Sequence, residues 1–260
     1  MTARAIDLAL IGGSGLYAFE WLEVEEKLRP STPFGEISGE IALGRCAGRR
    51  VAFLARHGAG HTIAPHRINY RANLHALHAL GVRRAVAVNA VGGITPLMKP
   101  RAVCVPHQLI DYTHGRLSSY CDVDGAEVRH IDFSEPYTPA LAHALIEAAG
   151  RAGIQVVPRG VYGATQGPRL ETVAEIARLA RDGCDLVGMT GMPEAALARE
   201  LDLEYACVAL VANWAAGCDE RGVGQTLPPI SLDEIFEHLK VATATVPRIV
   251  TELLNGHLRS

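Results

Sequence analysis

The sequence predicts an α/β fold with a central mixed, largely parallel sheet flanked by helices, and three observations carry that prediction. Apolar runs of strand length alternate with segments of helical spacing through most of the chain, the pattern of strands joined by crossover helices. Several of these runs, such as Arg84 to Asn89 and Tyr205 to Asn213, are almost continuously apolar, as strands covered on both faces are. At Val187 to Glu200 an apolar run breaks into small residues and restarts as a helix. With 260 residues and 48% hydrophobic content, a single domain over 1–260 with a sizeable core is expected.

Composition excludes several function classes. A net charge of -3 and the lack of any Lys/Arg run leave no electrostatic footprint for nucleic acid or for a membrane surface. The six cysteines form no Cys-x-x-Cys pair and the first residues lack a signal-peptide pattern, so a reduced, cytoplasmic protein is expected. No apolar segment approaches bilayer length.

Taken in order, Ala5 to Ile11 is a first buried strand entering the turn Gly12-Gly13-Ser14-Gly15. Gly13-x-Gly15-x-x-Ala18 formally matches the dinucleotide fingerprint, which needs a helix next and an acidic residue about 20 residues on. Tyr17 to Pro30 is instead acidic and irregular, and the glycines better suit the approach of backbone amides and Ser14 to a phosphate. Leu16, where a nucleophile elbow requires glycine, excludes that motif.

Residues 35 to 56 read as two strands joined at Ala47-Gly48, the second delivering Arg56-His57-Gly58 to its carboxyl end, the edge where open α/β sheets bind ligands. Asn69 to Leu80 is a helix with Ala72, Ala76, Leu77 and Leu80 on one face and Arg71, His75 and His78 on another, where His75 and His78 are expected to meet solvent. Arg84 to Asn89 is a strand leading into Gly92-Gly93, and Val103 to Ile110 another. Asp111 to Tyr137 lacks periodicity, as functional or interfacial excursions do. Thr138 to Ala152 is a helix, Val156 to Ala164 a strand, Glu171 to Arg181 a helix and Tyr205 to Asn213 a strand. Gly217 to Pro229 is a Gly/Pro-rich loop, and Leu232 to Leu254 one long or two short amphipathic helices.

Between these elements, Asp185 to Val187 ends a strand and Pro193-Glu194 opens a helix, which sets Thr190 and Gly191 at a strand-to-helix corner. Unpaired amides and the positive end of the helix dipole make such a corner an anion site, the plainer alternative being an N-cap threonine. A metal held by His57, His61 and His66 is disfavoured by Pro65 and by the lack of a following helix, so no metal is expected.

Gly12-Gly-Ser-Gly-Leu16, Arg56-His-Gly-x-x-His61, Asn69-Tyr-x-Ala-Asn73, Gly167-Pro-Arg-Leu-Glu171-Thr and Met189-Thr190-x-x-x-Glu194 stand in one order along the chain. Together they resemble the trimeric purine nucleoside and methylthioadenosine phosphorylases. The resemblance implies a nucleoside phosphorylase-like fold and phosphorolysis, in which inorganic phosphate attacks the anomeric carbon of a sugar while a purine departs, with no metal or organic cofactor. It implies that Ser14, Arg56, His57 and Thr190, with backbone around Asn89 and Ala90, hold phosphate, the arginine through its two-pronged fork, with His61 a further candidate. Met189 would lie against the ribose.

For the base, the segment Gly167 to Glu171 follows the 6-oxopurine pattern, with Leu170 in the pocket and Glu171 accepting from the purine N1–H; the alternative is an exposed first-turn helix acid. Asn213 stands where adenine-cleaving relatives have Asp, and Ala215 replaces a further carboxylate of theirs, so Glu171 and Asn213 form the expected catalytic pair. The apolar Val223, Leu227, Pro228, Pro229 and Ile230, with no histidine before His238, favour a 5'-methylthio group over a hydroxyl. The implied substrate is S-methyl-5'-thioinosine, giving hypoxanthine and 5-methylthioribose 1-phosphate. A general inosine/guanosine phosphorylase, a methylthioadenosine phosphorylase and a dinucleotide- or purine-binding protein are the alternatives. Val128 to Pro136 resembles the segment with which relatives reach a neighbour's sugar pocket, so a homotrimer with His130 acting across the interface is implied.

Overall fold

The computed structural model describes residues 5–13, 21–123, 125–228 and 230–256. The first strand, β1 (Leu8–Gly12), is wholly buried and lies parallel to β4 (Arg49–Ala55), which follows β3 (Ile41–Cys46) through the Ala47-Gly48 turn. The acidic stretch expected to be irregular contains β2 (Glu23–Leu28), antiparallel to β3 at the sheet edge. Its charged residues mask strand periodicity because an edge strand has no burial to enforce, and charge there blunts edge-to-edge pairing.

The hub of the sheet is β5 (Arg84–Gly93), flanked along its whole length by the parallel β10 (Glu204–Trp214). Its other edge is shared. β1 covers it from Ala85 to Ala87, and β9 (Leu186–Gly188) arrives antiparallel at Gly92 and Gly93. Between them, Val88 to Val91 have no strand partner on that edge, so the carboxyl ends of β1 and β9 face one another across an opening in the sheet. Beyond β9 the sheet continues in parallel through β8 (Val161–Ala164) and β7 (Gln108–Asp111).

Two expected strands are shorter than their apolar runs, each for the same reason. Pro106 interrupts Val103 to Ile110, leaving β6 (Val103–Cys104) antiparallel to β10 and β7 parallel to β8. Pro158 likewise confines β8 to Val161 onward, with Val157 only bridging to Cys104.

Helices cover both faces. α1 (Tyr70–Ala79) and α4 (Glu194–Glu200) bury Leu74, Leu77, Ala195 and Ala198 against Ala9, Ile11, Ala85 and Ala87. α2 (Pro139–Arg151), α5 (Leu232–Thr243) and α6 (Val246–Gly256) bury Leu145, Leu239 and Val250 against the alternate residues Leu8, Leu10, Val86 and Val88. The C-terminal apolar region is therefore two helices. α3 (Val173–Arg181) packs Ile176 and Leu179 on Val187 at the β9 end. The Gly/Pro-rich loop carries a small hairpin of β11 (Cys218–Asp219) and β12 (Gly222–Val223).

The polar face assigned to α1 is not a solvent face. Arg71 is buried over the Phe34 ring and donates to the Ser119 carbonyl, while His75 packs edge-on against the same ring and His78 is half-buried. The excursion between β7 and α2, which has no regular element among its described residues, closes over the Arg71 end of this face.

Candidate active site

A cavity of about 440 Å³ fills the opening in the sheet, lined by Gly13 at the end of β1, Arg56 and His57 after β4, Ala90 to Gly92 of β5 and Met189 and Thr190 after β9. Leu170 and Glu171 and the end of β10 at Asn213 complete it. Sheet topology alone explains the convergence, because four strand ends meet where β5 lacks a neighbour.

At its floor lies an ion pair that is fully buried on both sides. Arg56 Nε donates to Glu194 Oε2 at 2.7 Å and Nη2 to Oε1 at 2.9 Å, while the Tyr205 hydroxyl gives Oε1 a further bond at 2.9 Å. Nη2 also reaches Asn89 Oδ1 at 3.0 Å, and Nη1 donates to the Val88 carbonyl at 3.1 Å, a group freed by the missing strand partner. Burial works against the guanidinium charge, but the Glu194 carboxylate outweighs it and raises the Arg56 pKa. The expected two-pronged grip on an anion is thus corrected: the fork holds Glu194, and one Nη1 hydrogen is left beside the cavity. A side chain at Gly13 would close this approach, its Cβ falling 2.6 Å from the Val88 oxygen and 3.2 Å from Arg56 Nη1.

Thr190 stands at the expected strand-to-helix corner, between β9 and α4, and is not the N-cap of the helix. α4 begins only at Glu194, with Pro193 as its N-cap residue, so Thr190 lies outside the helix and faces the cavity from the turn after β9. The carboxylate in the helix's first turn belongs to the protein itself.

His57 is buried, and its Nδ1 donates to the Ile63 carbonyl at 2.8 Å, which leaves Nε2 as an acceptor. Burial first, then the neighbouring Arg56 charge, pushes its pKa down to about 4, so the ring is neutral at pH 7. The exposed His61 ring packs against it, centroids 4.4 Å apart. Ala90 lines the cavity, whereas Asn89 supports it from behind, bonded to Arg56 and, through Nδ2, to the Tyr162 hydroxyl at 3.4 Å. Ser14 lies outside the described residues.

At the opposite end, Glu171 is not a helix residue. Thr172 caps α3 through a capping box with Glu175, which leaves Glu171 in the preceding turn with its Oε1 accepting from Thr165 Oγ1 at 2.6 Å. Asn213 follows a bulge in β10 between Val211 and Asn213, an irregularity that re-aims the strand end toward the cavity. Its Nδ2 donates to the Trp214 carbonyl at 2.6 Å, and the bulged Ala212 carbonyl is held by His238 Nδ1 at 3.1 Å. Met189 presses its sulfur on the glycine turn, where a Cβ at Gly167 would lie 2.4 Å from it. Ile230 and Ile235 close the wall. His130 is exposed and is not among the residues lining this cavity.

Sequence reasoning missed the partner role of Glu194, the Ala212 clasp by His238, and Tyr162, whose hydroxyl meets Asn89 and the Thr190 amide. Glu194 stood within a quoted motif, but nothing local tells an acid in a helix's first turn that its partner lies 138 residues away.

The profile of the phosphorylase superfamily matches residues 7–255. A "Probable S-methyl-5'-thioinosine phosphorylase" of Pseudomonas syringae pv. tomato is 59% identical over 248 residues, covering 95% of this chain and 98% of its own. A 6-oxopurine nucleoside phosphorylase of Pyrococcus furiosus is 44% identical over 255 residues, covering 94% of each. Among solved structures, methylthioadenosine phosphorylase from Schistosoma mansoni in complex with adenine superposes with a TM-score of 0.88 at 28% identity, covering 96% of this chain and 91% of that one.

Two consequences for stability follow from the geometry. Glu194→Ala strands a buried guanidinium and is expected to cost about 3–5 kcal/mol, whereas the double replacement Arg56→Met/Glu194→Leu recovers most of that loss; denaturant unfolding of the three proteins reads the difference, and an additive double mutant would refute it. For His57 the folded pKa lies below the unfolded one, so its contribution is present in full above about 6.5 and is lost as pH falls toward 4. Thermal midpoints measured between these pH values should fall less steeply in His57→Gln than in wild type.

Proposed function

The chain belongs to the phosphorylase superfamily, and we propose that it cleaves the N-glycosidic bond of a 6-oxopurine nucleoside with inorganic phosphate, its substrate being S-methyl-5'-thioinosine. The observation that carries this reading is the meeting of Glu171 and Asn213 in one cavity with Arg56, Thr190 and Met189. A 6-oxopurine offers a donor at N1 and an acceptor at O6, which a carboxylate and an amide N–H complement. The names of the relatives above point the same way.

Phosphate enters against the Val88 to Val91 opening. The remaining Nη1 hydrogen of Arg56, the Thr190 hydroxyl and the backbone at Ala90 donate to it, with Ser14 the further donor that the sequence motif implies. His57 Nε2 accepts a hydrogen bond from a protonated phosphate oxygen, the proton staying on the phosphate. With Met189 against the sugar, the anion sits beneath the anomeric carbon, and positioning supplies much of the rate. As the C–N bond breaks, charge gathers on the departing purine. Asn213 Nδ2 exchanges its bond to the Trp214 carbonyl for one to N7 or O6, and Glu171 holds N1–H. Ile230 and Ile235, apolar side chains on that wall, suit a methylthio group at the sugar 5' position. The reaction requires no metal or organic cofactor.

The active unit is a homotrimer in the cytoplasm. His130, which does not line its own cavity and lies on a segment exposing Leu117, Val123 and Val128, serves a neighbouring subunit in this reading. The thiols of all six cysteines are free, which suits a reducing compartment.

Base release should require phosphate or arsenate when inosine, guanosine, adenosine and their 5'-methylthio analogues are compared, with methylthioinosine giving the highest kcat/KM. A mismatched buried contact costs about 1–3 kcal/mol, so 6-oxo over 6-amino preference should be roughly tenfold to a hundredfold per contact. Asn213→Asp should move that ratio toward 6-aminopurines, and an unchanged ratio would reject the base-pocket assignment. Light scattering at assay concentration should return the mass of a trimer; a fully active monomer would refute the shared site.

A further inference from the structure

Arg116 comes from the irregular excursion after β7, yet its half-buried guanidinium reaches three other segments. Nη1 donates to the Met189 carbonyl at 2.9 Å, to the Met192 carbonyl at 2.5 Å and to the Tyr70 hydroxyl at 3.4 Å. Nη2 donates to the carbonyls of Gln166 at 2.8 Å and Thr165 at 3.2 Å, and Nε to Gln166 Oε1 at 3.2 Å. The Tyr70 ring lies beneath it, and the Tyr70 hydroxyl in turn donates to the carbonyl of Pro65, a cavity-wall residue. Among the described residues no carboxylate pairs with this cation. Its acceptors are four main-chain carbonyls, a carboxamide and a phenol, which is a set assembled for shape and not for charge neutralisation.

These acceptors flank the two working edges of the cavity. Met189 and Met192 bracket Thr190, and Thr165 and Gln166 immediately precede the turn that carries Leu170 and Glu171. Thr165 also donates its amide to the Gly188 carbonyl at 2.8 Å and its hydroxyl to Glu171 Oε1 at 2.6 Å. One residue therefore connects Arg116 to the base-reading carboxylate, and one bond connects it to the sugar-facing methionine. Without the guanidinium, four carbonyl oxygens would converge with no donor between them, and the turns after β8 and β9 would keep the Thr165–Gly188 contact but lose the clamp beyond it.

We propose that Arg116 is a positioning residue that sets the register between the base-reading turn at Glu171 and the sugar-facing turn at Met189. The assignment rests on the nucleoside reading above. A planar fork is what the acceptor set demands, and a lysine's point charge cannot span it.

The test measures kcat/KM for methylthioinosine and methylthioadenosine in wild type, Arg116→Ala and Arg116→Lys, with and without added guanidinium ion at concentrations harmless to wild type. Both variants should lose roughly tenfold to a hundredfold on the 6-oxo substrate, the scale of a misplacement of about 1 Å, and less on the 6-amino substrate, so that their discrimination narrows. Guanidinium ion should restore both quantities in Arg116→Ala. Should that variant fail to fold, the discrimination ratio of Arg116→Lys decides. A wild-type ratio in either folded variant, or uniform loss without recovery, overturns the assignment while leaving the reaction standing. A wild type that releases no base in phosphate overturns the functional reading, and the assignment with it.

Discussion

Everything at the centre of this molecule depends on the pairing of Arg56 with Glu194. Two fully buried charges are costly to remove from water, and their attraction compensates only when geometry is good and the remaining donors and acceptors are met. Here the bidentate contact, the Tyr205 hydroxyl, the Val88 carbonyl and the Asn89 side chain meet them. The guanidinium stands between the end of β4 and the first turn of α4, in the opening that β1 and β9 leave beside β5. The pair thus fills a breach in the sheet that apolar packing would have sealed, and in doing so keeps a cavity above it.

Such a floor constrains what the site offers an anion. The positive charge of Arg56 is already balanced, and the depressed pKa of His57 keeps its ring neutral. This end of the cavity therefore presents directed dipoles: a single guanidinium hydrogen, a threonine hydroxyl and strand-end backbone. Preorganised donors of this kind need no rearrangement when charge shifts during a reaction. The same economy recurs at the other end, where a bulge in β10, held at Ala212 by His238, turns Asn213 toward the cavity that Glu171 enters from the turn before α3.

The large excursion between β7 and α2 has a structural role that its lack of periodicity concealed. Arg116, Ser119 and Tyr120 bond across it to the turns after β8 and β9 and to α1, so a segment without helix or strand makes the working edges one unit. Backbone groups that a regular element would satisfy internally are met here by side chains. That is why Arg71 of α1, polar at helical spacing, is enclosed.

The sequence by itself determined the class of the fold and picked out Arg56, His57, Ala90, Leu170, Glu171, Met189, Thr190 and Asn213, which the structure gathers around one cavity. Buried strands such as β5 and β10 and helices such as α1 and α2 announce themselves through local periodicity, and ligand-facing side chains sit where those strands end. Charged β2 escaped because an edge strand buries neither face, and the breaks at Pro106 and Pro158 escaped because the apolar runs continue past them. What only the tertiary structure decided is which polar groups spend their hydrogen bonds on one another. The fork of Arg56 closes on an acid 138 residues away, the amide of Asn213 rests on its neighbour's carbonyl, and Arg116 satisfies carbonyls from two distant turns. Periodicity is a property of neighbours in the chain, but the pairing of buried donors and acceptors is settled by which strand ends the sheet brings together, because a buried polar group must bond to whatever the fold places beside it.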